Sequence, residues 1–158
     1  MEDFEWKLTA ALNQFFESEG TRAVAYRLKQ SRYTSQVVDI LVDSPHHQYY
    51  LAIECKSLNA RKAKTLYFSQ HFSEAGGKHQ IKRANEFLLK SGRKGILAVE
   101  LRRGPGKPKT AHMVPWSTVI NKYSDGLVGL ELEEIEESLS LERTKGNYEI
   151  TRLDEILL

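Results

Sequence analysis

The sequence holds a single cysteine, Cys55, among 158 residues. That excludes an internal disulfide framework and any zinc site built from cysteines, and it suits a reducing compartment. Cys55 itself, set among apolar neighbours, reads as core filler. Long hydrophobic runs are absent too: no stretch approaches the roughly 18 apolar residues that a spanning helix needs. The start, Met1-Glu2-Asp3-Phe4-Glu5, lacks the basic opening of a secretory signal. The expectation is a soluble, cytoplasmic protein with no membrane partner. No internal repeat is visible, and 41% hydrophobic with 28% charged residues suits one ordinary core.

Overall charge is also scarce, at +2, but its distribution is uneven. Residues 1–55 carry a net −3 and residues 125–158 a net −7. Between them, residues 56–109 hold fourteen Lys and Arg against three Asp and Glu, a net +11. A basic block of that density, interleaved with Tyr67, Phe68, Phe72 and Phe87, favours a polyanion partner over a disordered tail.

Apolar residues at Phe4, Leu8, Ala11, Leu12, Phe15 and Phe16 have helical spacing and predict an amphipathic helix that stops near Gly20. Residues 23–28 read as a first strand and Ser31 to Ser35 as a polar loop. The runs 37–42 and 49–55 are rich in β-branched and aromatic residues, and the turn-like Ser44-Pro45-His46-His47 between them predicts an antiparallel hairpin. Residues 57–75 show no clear period. A second amphipathic helix is expected near 78–91, with Ile81, Ala84, Phe87 and Leu88 inward and Gly92 ending it. Residues 95–101 and 111–116 predict another hairpin, followed by a short helix over 117–123. The acidic segment from residue 124 onward is expected to pack as an extension on the main domain, 1–123, or at an interface.

Within this frame Asp39, Glu54 and Lys56 stand out. Side chains two apart in a strand share a face, so Glu54 and Lys56 project together while Tyr49, Leu51, Ile53 and Cys55 point into a core. A hairpin centred between His46 and His47 pairs residues whose numbers sum to 93, which sets Asp39 opposite Glu54. Like charges across a sheet destabilise it unless a cation or a raised pKa compensates. Carboxylate oxygens suit Mg²⁺, completed by water and substrate phosphate, and Lys56 is within reach of the same place. That is the equipment of metal-dependent phosphodiester hydrolysis. The bland alternative is a surface ion pair, since an E-x-K triplet is common at strand ends.

Val38-Asp39, where the pattern has Pro-Asp, together with Glu54-Cys55-Lys56 as an E-x-K, resembles the PD-(D/E)XK nuclease superfamily. The element order looks like that of archaeal Holliday junction resolvases and RecU-type bacterial resolvases over roughly residues 2–120, and Gly77-Lys78-His79-Gln80 is similar to the His-Gln of the latter. The resemblance implies an α/β fold with a restriction-endonuclease-like core, a central mixed sheet flanked by helices. It implies Asp39, Glu54, Lys56, Glu5 and Gln80 as catalytic residues, with Asp39, Glu54 and Glu5 holding Mg²⁺ or, as a substitute, Mn²⁺. Glu2 and Asp3 can instead complement the positive end of the helix dipole, as could Glu5. Gln80 at a helix start can be merely solvated, and His79 a helix-end polar group. His46 and His47 read as exposed.

The implied activity is a metal-dependent endodeoxyribonuclease that cuts four-way junctions as a homodimer, in the cytoplasm on the nucleoid or in a virus-infected host cell. The alternatives are a restriction or repair nuclease with the same core and a non-catalytic DNA-binding protein. Ser31, Arg32 and Ser35, in a loop that the resemblance makes mobile, suit phosphate oxygens. The basic hairpin tip with Arg102, Arg103, Lys107 and Lys109 is expected against the DNA backbone; its Gly104-Pro105-Gly106-Lys107 lacks P-loop spacing. Arg61, Lys62 and Lys64, with Lys82 and Arg83, extend the same surface. Tyr67, Phe68 and Phe72 are expected either at a dimer interface or folded back over the sheet.

Overall fold

The computed structural model describes residues 2–29 and 36–153, the side chain of Glu2 excepted. Ser31, Arg32 and Ser35 therefore lie outside the described residues. The first helix, α1 (Glu2–Ser18), buries Phe4, Leu8, Leu12 and Phe16 along one face. It ends where Gly20 adopts a φ of +64°. There the Gly20 N–H donates to the Glu17 carbonyl and the Thr21 N–H to the Phe16 carbonyl, a Schellman closure that a side chain at 20 would strain.

Three strands follow as an antiparallel meander, β1 (Val24–Arg27), β2 (Ile40–Asp43) and β3 (Leu51–Asn59), with a 3₁₀ turn over His47–Tyr49 between the last two. Ile40 pairs with Ile53, Leu41 with Ala52 and Val42 with Leu51, the register expected from the sequence. The Asp39-bearing strand is shorter than expected, since its ladder starts only at Ile40. β3 is longer, running four residues past Cys55.

The segment expected to be irregular contains β4 (Thr65–Tyr67), α2 (Phe68–His71), β5 (Glu74–Ala75) and β6 (Lys78–His79). The crossover helix α3 (Gln80–Ser91) then returns the chain to β7 (Lys94–Arg102), which lies parallel to β3 along its whole length. β8 (Thr110–Pro115) forms the second hairpin and α4 (Trp116–Ser124) follows it. Beyond it lie β9 (Gly129–Glu131), α5 (Leu132–Glu137), β10 (Leu139–Thr144) and β11 (Asn147–Glu149). Among the described residues seven strands form one mixed sheet in the order β1-β2-β3-β7-β8-β10-β11, flanked by helices. The acidic segment thus adds two strands to the sheet, while β9 pairs with β4 outside it.

Both faces of the central strands are covered, which is why β3 and β7 read as nearly unbroken apolar runs. On one face Ile40, Ile53, Cys55, Ile96, Ala98 and Met113 pack under α1, joined by Leu141, Tyr148 and Leu153. On the other, Leu41, Ala52, Leu97 and Val99 meet Ile81, Ala84 and Leu88 of α3 and Trp116 and Val119 of α4. Phe68 and Phe72 belong to this second core at 4% exposure each, so their placement at a dimer interface is corrected: they fold back over the sheet. Only Tyr67 of the three is exposed, at 40%. The strand β4 holds them there by pairing with β9, where Gly129 lies so close to the Leu66 carbonyl that a Cβ would collide with main chain.

Candidate active site

The meander brings Asp39 and Glu54 together at the end of the sheet. Asp39 precedes the first rung of β2; its N–H donates to the Ile53 carbonyl at 3.1 Å and its Oδ2 accepts the Cys55 N–H at 2.8 Å. Gln36 Nε2 donates to Oδ1 at 3.1 Å. From the α1 layer, Glu5 lines the same cleft as Asp39, close enough for the two carboxyls to raise one another's affinity for a proton. Arg27, at the end of β1, sits 3.4 Å from Glu5.

From the opposite layer comes Gln80, the first residue of α3, buried at 7% exposure. Its Nε2 donates to Glu54 Oε2 and to the Val37 carbonyl, while its Oε1 accepts the Ser73 N–H at 3.2 Å. Those three partners leave the amide one orientation. Glu54 is 4% exposed. Lys56 Nζ lies 3.5 Å from it and 4.7 Å over the Phe72 ring, which holds the ammonium at the edge of the second core. His79 takes the helix-end role: its Nδ1 accepts the Ile81 N–H, and its ring lies between Phe72 and Tyr123. His46 and His47 are exposed.

The electrostatics follow from that crowding. Burial pushes the Asp39 carboxyl up to about 7, and the hydrogen bond and charge of Glu54 add to the rise against the pull of the Cys55 N–H and Glu5. Burial and then Asp39 push Glu5 up to about 7 as well, with Arg27 opposing. Cys55, fully buried beside these carboxyls, has its thiol raised well above the usual range and offers no nucleophile.

Among the described residues no group of three or more His, Cys, Asp or Glu side chains is arranged to hold a metal ion on its own. The carboxyls instead influence one another in pairs, Asp39 raising Glu5 and Glu54 raising Asp39. Their chemistry fits a hard divalent cation: oxygen donors, and two carboxyls that burial and neighbouring carboxyls raise to about 7. A cleft of about 950 Å³ opens beside them, lined by Glu5, Trp6, Arg27, Lys29, Asp39 and Lys56. Sequence reasoning passed over Arg27, Gln36 and Trp6. Arg27 becomes visible only once β1 is paired with β2, because the Arg27–Ile40 rung sets it beside Asp39.

The basic residues divide into two kinds. Arg61, Lys62, Lys64, Arg102 and Lys107 are exposed, and the 59–64 connection lies against the β7–β8 tip, with the Ala60 N–H donating to the Arg102 carbonyl at 2.9 Å. They cluster at the end of β3 and β7 beyond Lys56. Arg103, by contrast, pairs with Glu136 at 3.0 Å, and Lys109 lies 3.9 Å from Glu100. On α3, Lys82 is exposed and Arg83 bonds Ser73 Oγ at 3.3 Å. Arg93 is structural: it bonds Asp43, the carbonyls of Val42 and Leu51, and the face of Tyr50.

No family model and no curated protein matches the chain. Among solved structures it is similar to Hjc of Archaeoglobus fulgidus, a Holliday junction resolvase from an archaeal hyperthermophile, at 19% identity and a TM-score of 0.40, with 90% of this chain and 86% of that one covered.

Proposed function

We propose that the protein is a metal-dependent DNA endonuclease that resolves four-way junctions as a homodimer. The observation that supports this reading is the convergence of Glu5 from α1, Asp39 just before β2 and Glu54 from β3, the last held by Gln80 and Lys56, with Glu5, Asp39 and Lys56 on the wall of a cleft that Arg27 and Lys29 also line. Asp39 and Glu54, with Glu5 beside them, would hold Mg²⁺ or Mn²⁺, which when bound lowers the pKa of a water and offsets charge on a phosphate. The chain's own groups do the rest. Gln80 fixes the rotamer of Glu54, and Arg27 compensates Glu5. Lys56, poised at the cleft, supplies positive charge to phosphate oxygens as the phosphodiester passes through its pentacoordinate stage. The exposed cations beyond Lys56 hold the DNA backbone. Two symmetric nicks need two such sites related by a two-fold axis, hence the dimer.

Incubation of the purified protein with labelled four-way junctions, duplexes and single strands, with Mg²⁺ or with chelator, tests the reading. Paired cleavage of junctions only with Mg²⁺ is expected. Equal cutting of plain duplex would favour the restriction or repair alternative, and binding without cutting would make the protein architectural. Light scattering over a dilution series checks assembly; a mass of one chain accompanied by undiminished paired cuts would remove the dimer.

A further inference from the structure

Trp6 has no place in the core. The buried face of α1 is Phe4, Leu8 and Leu12, and Trp6 lies off it at 62% exposure, on the wall of the cleft one residue from Glu5. The Arg27 guanidinium carbon sits 4.9 Å from the indole centroid, while the same guanidinium reaches Glu5 at 3.4 Å. One guanidinium therefore braces an aromatic ring and a catalytic carboxyl together. Held by Arg27, the indole presents a flat aromatic face to whatever enters the cleft.

We infer that Trp6 is a stacking platform for an unstacked nucleobase adjoining the scissile phosphate. The inference rests on the nuclease reading and names the form of DNA that enters the cleft. The surroundings select the occupant. An apolar protein surface laid on Trp6 would also cover Glu5, Arg27, Lys29 and Lys56 and strip them of water, a heavy desolvation cost. A nucleotide brings both halves of the complement, a flat π-face for the indole and a phosphate for the cations. Bases inside a duplex are stacked on their neighbours and offer no free face. The cleft thus fits DNA whose bases are already separated, at a branch point, gap or strand end, and it does so without reading sequence, since every base has a π-face. The cation beneath the ring adds to its hold on a base from the other side.

The two tryptophans make this measurable, because Trp116 is 5% exposed and Trp6 is not buried. Acrylamide should quench mainly Trp6. The experiment uses the full chain in chelator, where no cleavage occurs, and titrates in an oligothymidylate, a four-way junction and a blunt duplex. Binding of the first two should shield Trp6 from acrylamide. Trp6→Ala should keep the wild-type melting temperature and weaken both by about tenfold, as the loss of one base stack does. Duplex affinity should change by less than about twofold, and Trp6→Phe should restore most of the loss. Equal affinity of Trp6→Ala and wild type for the oligothymidylate and the junction would overturn the proposal. So would a Trp6 already shielded from acrylamide in a free dimer, which would make it a contact between copies. Failure of the nuclease reading looks different: shielding of Trp6 in the wild type and the affinity loss in Trp6→Ala would persist, but no DNA would be cut when Mg²⁺ is added.

Discussion

The carboxylate of Asp39 accepts the main-chain N–H of Cys55 at 2.8 Å, one residue beyond Glu54 on the neighbouring strand. The bond ties the two acidic residues together where the β2–β3 ladder begins, so the aspartate is a hinge pin of the hairpin as well as a site residue. An asparagine at 39 keeps an oxygen for the Cys55 N–H and removes the charge. Asp39→Asn is therefore expected to fold, to bind junctions, and to lose cleavage by on the order of a hundredfold or more. Single-turnover cleavage alongside a binding titration checks this; wild-type rates in the variant would remove Asp39 from the chemistry.

The raised carboxyls predict an unusual pH profile. Glu5 and Asp39 move from ordinary values of 4.5 and 3.8 to about 7 in the native state. Native protein thus keeps protons that the unfolded chain releases, and the stability these groups contribute falls as pH rises from about 4 through about 7, then levels off. Asp43 and Glu134, held low against burial by the Tyr26 hydroxyl with Arg93 and by Lys122 with the Glu131 N–H, act oppositely, but their contribution is lost only as pH falls below the ordinary carboxylate range. A divalent ion competes with the retained protons. Mg²⁺ should accordingly raise the melting temperature more at about pH 8 than at about pH 5.5 and release protons on binding near neutrality, read as a buffer-dependent calorimetric enthalpy. Equal stabilisation at both pH values would contradict the assignment.

Gln80 offers a separate handle on Glu54. Gln80→Leu keeps the volume but leaves the Ser73 N–H and the buried Glu54 carboxylate without their partner. A loss of about 1–3 kcal/mol in denaturant unfolding is expected, with a lower cleavage rate, because a buried acceptor is left unsatisfied. Unchanged stability would mean that water replaces the amide.

The hairpin that carries the site was legible because the turn-like Ser44-Pro45-His46-His47 centres it between His46 and His47, and the observed pairing of Ile40 with Ile53 keeps that register. Glu5 could be placed because the resemblance implies an acidic residue early in the first helix at the site, and its seven-residue spacing from Leu12 permits it. Phe68 and Phe72 could not be: their burial depends on β4 pairing with β9, more than sixty residues apart, in strands too short to show a period. The same applies to β10 and β11, whose acidic exposed faces hide Leu141 and Tyr148 in the first core. Tyr148 donates to buried Glu100 at 2.6 Å, a long-range bond that no local pattern encodes.

The two kinds of basic residue make the last prediction. Condensed counterions released from DNA give binding a steep salt dependence whose slope counts the phosphate contacts. Arg61, Arg102 and Lys107 are exposed at the β3–β7 end, whereas Arg93 is spent on Asp43 at 2.8 Å and on two main-chain carbonyls. Replacing the first three together by alanine should weaken binding to junction and duplex alike and lower the slope of log affinity against log salt by about 2–3, near 0.9 per lost contact. The melting temperature should hardly move, since exposed side chains away from such networks contribute little. Arg93→Ala should do the reverse, costing roughly 1–3 kcal/mol of stability through two orphaned carbonyls while leaving the salt slope as it was. Affinity measured across a salt series for both variants decides the matter; a flattened slope in Arg93→Ala, or an unchanged one in the triple variant, would move the DNA to another face of the protein.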